Sequence, residues 1–233
     1  MLFGAQTAVW LETRYWAIKH PGVYLLPQPL TQGSVAQAPA TKFTDFGFEY
    51  EAPWQNPARR EATMAAIYYF PQGQILVFWD PAQLPNAVQI LEKVAKERHV
   101  RLEDMFGREV TESNYVFLRT TLNLTPSQLS PLSPRREAVN KALLLAMKST
   151  WATKRVSAIY SLELNGLRGF QIGDPARDEH VEVRCFDSSD RELRLSFALK
   201  DGAEAKLSQS EINRVVQSLH PAKTPAPAGA SVR

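Results

Sequence analysis

Four alternating stretches in the last third of the chain constrain its fold more than any other feature. Residues 155–164 and 167–172 flank Asn165-Gly166, and an Asn-Gly pair supplies the two positive φ values that a type I′ hairpin turn requires. Val181, Val183 and Cys185 then alternate with Glu182, Arg184 and Phe186. After the turn residues Asp187-Ser188-Ser189-Asp190, Leu193, Leu195, Phe197 and Leu199 alternate with Arg194, Ser196 and Ala198. A period of two broken by turns predicts an antiparallel four-strand meander. Behind it, Ser208 and Glu211 have the spacing of a capping box, and Ile212, Val215, Val216 and Leu219 form one apolar stripe. A helix is therefore expected to lie across that sheet and seal its core.

The upstream elements are grouped in the same way. Phe46, Phe48 and Tyr50 alternate with Gly47, Glu49 and Glu51, which predicts a half-buried strand ended by Pro53 and Trp54. Two aromatic and β-branched runs, 65–70 and 74–80, are separated by Pro71-Gln72-Gly73 and predict a hairpin in the middle of a sheet. Over 86–98, Ala87, Ile90, Leu91, Val94 and Ala95 share a helical stripe, with Asn86 as its expected N-cap. Residues 113–122 predict a second helix. Thr125-Pro126 and Ser133-Pro134 each place a capping hydroxyl before a proline, and the second is expected to open a largely buried helix over 134–150. Strands that cluster rather than alternate with helices define an α+β class, with a mostly antiparallel sheet of about six to seven strands packed between helices.

Such a sheet needs an apolar interior, and 44% of the 233 residues are hydrophobic. The chain is therefore neither disordered nor collagen-like. A net charge of +3 is too small to mark a nucleic-acid binder, and no nucleic acid is expected as a partner. One Cys excludes an internal disulfide and every multi-cysteine zinc site. Residues 43–220 are expected to form a single domain. The flanks are an apolar stem over 1–30, a linker over 31–42 and a disordered tail over 221–233. In the stem, Trp10 and Trp16 fit either an amphipathic helix over 9–18 packed on the domain or the trimmed end of an anchor helix. The prolines at 21, 27 and 29 favour an extended segment after it.

The segments Phe46-Gly47-Phe48-Glu49-Tyr50-Glu51-Ala52-Pro53-Trp54 and Ile212-Asn213-Arg214-Val215-Val216-Gln217-Ser218-Leu219, with the helical middle and the meander between them, resemble the PsbP-like fold. That fold is shared by the photosystem extrinsic protein and the Ran-binding Mog family. The chain is also similar to uncharacterised bacterial proteins that carry this domain behind one N-terminal membrane helix. The resemblance implies a protein-binding module tethered by its N-terminus on the outer side of a membrane, and it brings no activity or cofactor with it.

Chemistry-bearing residues are sparse. Cys185 alternates with core residues, which predicts an inert thiol. The loop 173–180 gathers Asp174, Asp178, Glu179 and His180 without the spacing of a calcium loop or an HExxH helix, so no metal ligand is assigned. There is no GxSxG elbow, Walker loop or Rossmann glycine pattern. No catalytic residue and no cofactor is assigned. Trp54 and Trp79 each stand beside a proline at a strand end, where a rim aromatic could meet a partner. With Asp174 and His180 they make the candidate binding set. The expected function is a noncatalytic domain for a protein or small ligand, exported and membrane-tethered. Two alternatives stay open: a hydrolase or metal-dependent enzyme whose residues meet only in space, and a cytoplasmic assembly factor.

Overall fold

A computed structural model describes residues 3–30, 35–37, 39–84, 87–97 and 99–222. The N-cap expected at Asn86, residues 31–34 and 38 of the expected linker and the expected tail beyond Ala222 lie outside the described residues. In chain order the elements are α1 (Phe3–Lys19), β1 (Pro27–Pro29), β2 (Thr41–Asp45), β3 (Phe48–Ala52), β4 (Ala58–Ala62), β5 (Ala65–Tyr69), β6 (Gln74–Trp79) and α2 (Ala87–Glu97). There follow α3 (Leu102–Phe106), α4 (Arg108–Glu112), α5 (Asn114–Asn123), α6 (Arg135–Trp151), β7 (Ile159–Leu164), β8 (Leu167–Ile172), β9 (His180–Phe186), β10 (Glu192–Leu199), α7 (Gln209–Ser218) and β11 (His220–Pro221).

The class is α+β. Eight strands form one sheet in the order β1-β7-β8-β9-β10-β6-β5-β4, antiparallel except for the parallel pair β1–β7, and β11-β3-β2 form a second sheet. The meander β7 to β10 is present, and Asn165 and Gly166 take φ of 51° and 79° at its first turn. The Ser208–Glu211 capping box opens α7.

The main sheet is larger than six to seven strands because both its edges escape the alternation rule. β4, Ala-Arg-Arg-Glu-Ala, is exposed along its whole length. It is a charged edge of the kind that discourages pairing with other chains. β1 is flanked by Pro27 and Pro29, which lack the N–H a central strand needs but suit an edge.

Two upstream expectations are also corrected. Phe46 does not begin a strand: with φ of 50° beside Gly47 at 78° it turns the β2–β3 hairpin, and it is 40% exposed. The strand starts at Phe48, and Phe48, Tyr50 and Ala52 face the core. The long helix begins at Arg135 with Pro134 at its N-cap and no side-chain cap from Ser133, and it is not largely buried. Ala138, Leu144, Leu145 and Lys148 point inward while Val139 is exposed. Ala and Leu placed around the whole helix hide which face is used. Thr125-Pro126 opens only one 3-10 turn, Pro126–Gln128.

Both faces of the main sheet are covered. On one, Val181, Val183, Cys185, Leu195 and Phe197 pack with Phe78, with Phe48 and Tyr50 of the small sheet, and with Ile212, Val215 and Val216 of α7. The early aromatic strands and the late hairpins thus share one interior. On the other face, Ile159, Phe170 and Phe186 meet Tyr115, Leu118 and Leu122 of α5. A helical layer lies beyond, where Ala17 and Val23 join Leu91, Phe117 and Leu145. The segment after α1 lies tight against the domain. A Cβ on Gly22 would stand 1.9 Å from the Ala152 carbonyl oxygen, so only glycine fits there.

Candidate functional site

Of the four residues singled out from the sequence, Asp174 and His180 lie at the β8–β9 connection, and Trp54, Trp79 and Asp174 are largely committed to the fold. Trp54 is 3% exposed, donates through Nε1 to Glu211 Oε1 at 2.8 Å, and packs on Phe70 and Phe197. Glu211 also closes the α7 capping box, so this indole locks helix to sheet. Trp79 is half-buried and donates to Ser196 Oγ at 3.1 Å. Asp174 accepts from the Ala176 backbone N–H, and Asp178 accepts from Ser157 N–H, Ser157 Oγ and Asp174 N–H. These carboxylates are engaged by the turn they stabilise. His180 is exposed at the start of β9. Among the described residues, no group of three or more His, Cys, Asp or Glu could hold a metal ion.

Cys185 is fully buried on β9, and burial first, with the Glu192 carboxylate second, pushes its thiol up to about 12. A thiol with that pKa is almost wholly protonated at neutral pH and sterically closed off. An aromatic disulfide reagent is expected to leave Cys185 untouched in the folded protein and to titrate one thiol in urea. Rapid labelling without denaturant would contradict the packing of β9.

The strongest buried charge cluster is also largely paired within itself, although Arg184 Nη1 is buried without a hydrogen-bond partner. Arg184 grips Glu192 through two bonds at 2.8 and 3.1 Å, Arg194 adds two more at 2.9 and 2.7 Å, and the Arg184 guanidinium lies 4.8 Å over the Trp151 ring. Burial raises the Glu192 pKa, but the two guanidiniums outweigh it and hold it below the usual range. This arrangement braces β9 and β10.

One site with room for a ligand lies along the free side of β7. β1 pairs only with Ile159 to Ser161, so it stops short of the strand's end. A cleft of about 410 Å³ follows the edge, with Tyr115, Arg119 and Asn123 of α5 on one wall and Pro29, Leu162 and Leu164 among its apolar parts. By the pleat, Ser161 and Glu163 turn to the Phe170 side of the sheet, whereas Leu162 and Leu164 turn to the opposite side. The cleft therefore wraps the sheet edge and offers polar and apolar surfaces to one occupant.

The α5 wall is well fixed. Ser113 caps α5 by accepting from Val116 N–H, and the Asp190 carboxylate accepts from Ser113 Oγ, Asn114 N–H and Tyr115 N–H. An acidic group at a helix N-terminus is favourable for both hydrogen-bonding and dipole reasons. Tyr115 is stacked on Phe170 with ring centroids 5.8 Å apart, and Arg119 and Arg168 lie 5.6 and 4.3 Å from its ring. Arg168 also faces Asp190 at 3.9 Å. Arg119 is exposed, and the Glu163 side chain lines the same cleft. Sequence reasoning missed this wall, although the i, i+4 spacing of Tyr115 and Arg119 was there to be read.

Comparison of the chain with protein-family models, with curated proteins and with solved structures finds no match in any of the three.

Proposed function

We propose that this chain is a noncatalytic binding domain that takes an acidic group of a partner protein or small ligand in the cleft along β7. The observation that carries this reading is Arg119: an exposed guanidinium held against an ordered aromatic wall, lining a cleft. Polar groups converging on a concave surface that also offers apolar contact are a usual form of a ligand site.

The PsbP-like resemblance belongs to the same proposal and draws its support from the class and the grouping of elements. So does a bacterial, extracytoplasmic setting with an N-terminal tether, for which the exposed Leu11, Tyr15 and Ile18 of α1 speak. No described helix is long and apolar enough to cross a membrane. A second reading, an untethered assembly factor, is favoured by the packing of Ala17 into the helical layer. Fractionation of the native chain separates the two.

The binding claim is tested by titrating isotope-labelled protein with benzoate and with benzamide, its neutral counterpart. Benzoate is expected to give saturable NMR shifts at residues 27–30, 115–123 and 161–164. Arg119→Glu should weaken it at least tenfold, equivalent to about 1.4 kcal/mol. If those residues stay silent, or benzamide binds equally well, the cleft does not serve this purpose.

A further inference from the structure

The helical layer holds a second cavity of different chemistry, which goes beyond the reading just given. It lies between α2, α3 and α6, measures about 270 Å³, and is walled by Leu91, Ala95, Leu102, Phe106 and Leu143. Two polar side chains reach it, both from α6. Asn140 donates to the Met105 carbonyl at 2.5 Å, and Arg136 donates to the Asp104 carbonyl. Those carbonyls close the short helix α3, whose terminal acceptors need partners from outside the helix. The α3 wall is thus pinned to α6, and the cavity is preformed.

The exposed members of the lining are Val100 and Arg136, which mark the mouth. A guanidinium has five N–H donors and Arg136 gives one of its nitrogens to Asp104, so most remain for another acceptor. The neighbouring acid on α6, Glu137, is taken by Lys141 at 2.6 Å, and among the described residues no carboxylate pairs with Arg136. The interior is therefore oily, and among the described residues of its lining the one charged side chain is that of Arg136.

We propose that this cavity binds a single-chain amphiphile with an anionic head, its alkyl tail among Leu91, Leu102, Phe106 and Leu143 and its head on Arg136. An aliphatic tail fits better than a polar ligand because the interior offers almost no hydrogen-bond partner, and a buried polar group left unpaired is costly. The volume sets the length: at ~30 Å³ per water-sized group, there is room for roughly nine such groups. That is a medium-chain carboxylate.

The test uses octanoate, octanol and acetate on the full chain, read by calorimetry and by NMR shifts at residues 91–106 and 136–143. Octanoate is expected to bind saturably, octanol at least tenfold more weakly, and acetate not at all. Arg136→Gln should bring octanoate down to the octanol level while leaving octanol unchanged. Ala95→Leu, which fills the cavity from α2, should abolish binding of both, with Leu143→Phe serving the same end if Ala95→Leu fails to fold. Equal affinity for octanoate and octanol, indifference to Arg136→Gln, or binding that survives the filled cavity would each overturn the assignment. Shifts at these positions are separate from those expected with benzoate along β7, so either site can fail without the other.

Discussion

Lys148→Met is expected to lower the stability of the folded chain by about 3 kcal/mol. Lys148 is 0% exposed, and its ammonium donates to the carbonyls of Leu25, Leu122 and Leu124 at 2.5, 2.6 and 2.8 Å. Three donors meet three acceptors, two of them at or just beyond the C-terminal end of α5, where intrahelical partners run out. Methionine fills the same space without any donor. Each orphaned carbonyl costs about 1–3 kcal/mol, against which stands the relief of no longer burying a charge. That relief is real, because burial pulls the Lys148 pKa down from 10.5 to about 8.

The shift in Lys148 gives the substitution a second signature. Between about pH 8 and 10.5 the unfolded chain holds a proton that the folded chain has released, so native stability should rise with pH across that window. The slope approaches ~1.4 kcal/mol per pH unit, and below pH 8 the full burial penalty is present. Urea denaturation at several pH values checks both points. Lys148→Met should have a lower midpoint and no such rise, and faster proteolysis near residue 25 should show that the stem has lost its tie. A midpoint matching the parent would mean that the three carbonyls find other partners.

Lys148 also illustrates what the sequence conceals. In Ala146-Met147-Lys148-Ser149 it reads as a solvated helix position, because nothing local betrays carbonyls 24, 26 and 123 residues away. What was legible is what depends on near neighbours. Asn165-Gly166 announces its turn by backbone strain, Ser208 and Glu211 announce a helix start by reciprocal bonds, and β9 and β10 announce themselves by alternation. β4 escaped because an edge strand exposed on both faces has no alternation to show. Phe46 misled because an aromatic continued the period of its strand by one residue into a turn. The cleft was illegible for the same reason as Lys148: its walls come from Pro29, Tyr115 and Leu164, brought together only when β1 pairs with β7. Tyr115 and Arg119 could be placed on one helix face, but no local pattern says that a sheet edge stands opposite.

Asp45→Ala is expected to have the larger effect of the two, about 3–5 kcal/mol, and to shift alkaline unfolding to lower pH. The Asp45 carboxylate closes the β2–β3 hairpin, where it accepts from Tyr50 Oη and Tyr68 Oη at 2.7 Å each and from Arg59 Nη2 at 2.8 Å. Alanine removes the acceptor of two phenols inside the shared core and adds a void where Tyr50 is almost wholly buried. Arg59 is half exposed, so its ion pair contributes little and the hydroxyls dominate the loss. Burial first, and the Asp45 carboxylate next, hold both phenols well above the usual tyrosine range. A raised folded pKa means that this stability is complete below pH 10. It is lost as pH rises further, because the unfolded chain releases protons that the native state retains. Two such groups give a slope near 2.7 kcal/mol per pH unit, steep enough to reverse the gain from Lys148. Parent stability should therefore climb above pH 8, turn over near pH 10 and collapse beyond it. Phenolate absorbance should show Tyr50 and Tyr68 ionising only as the fold is lost. If Asp45→Ala unfolds at the parent's urea and alkaline midpoints, the carboxylate is not what holds the hairpin to the sheet, and the packing of Phe43, Tyr50 and Tyr68 must do so alone.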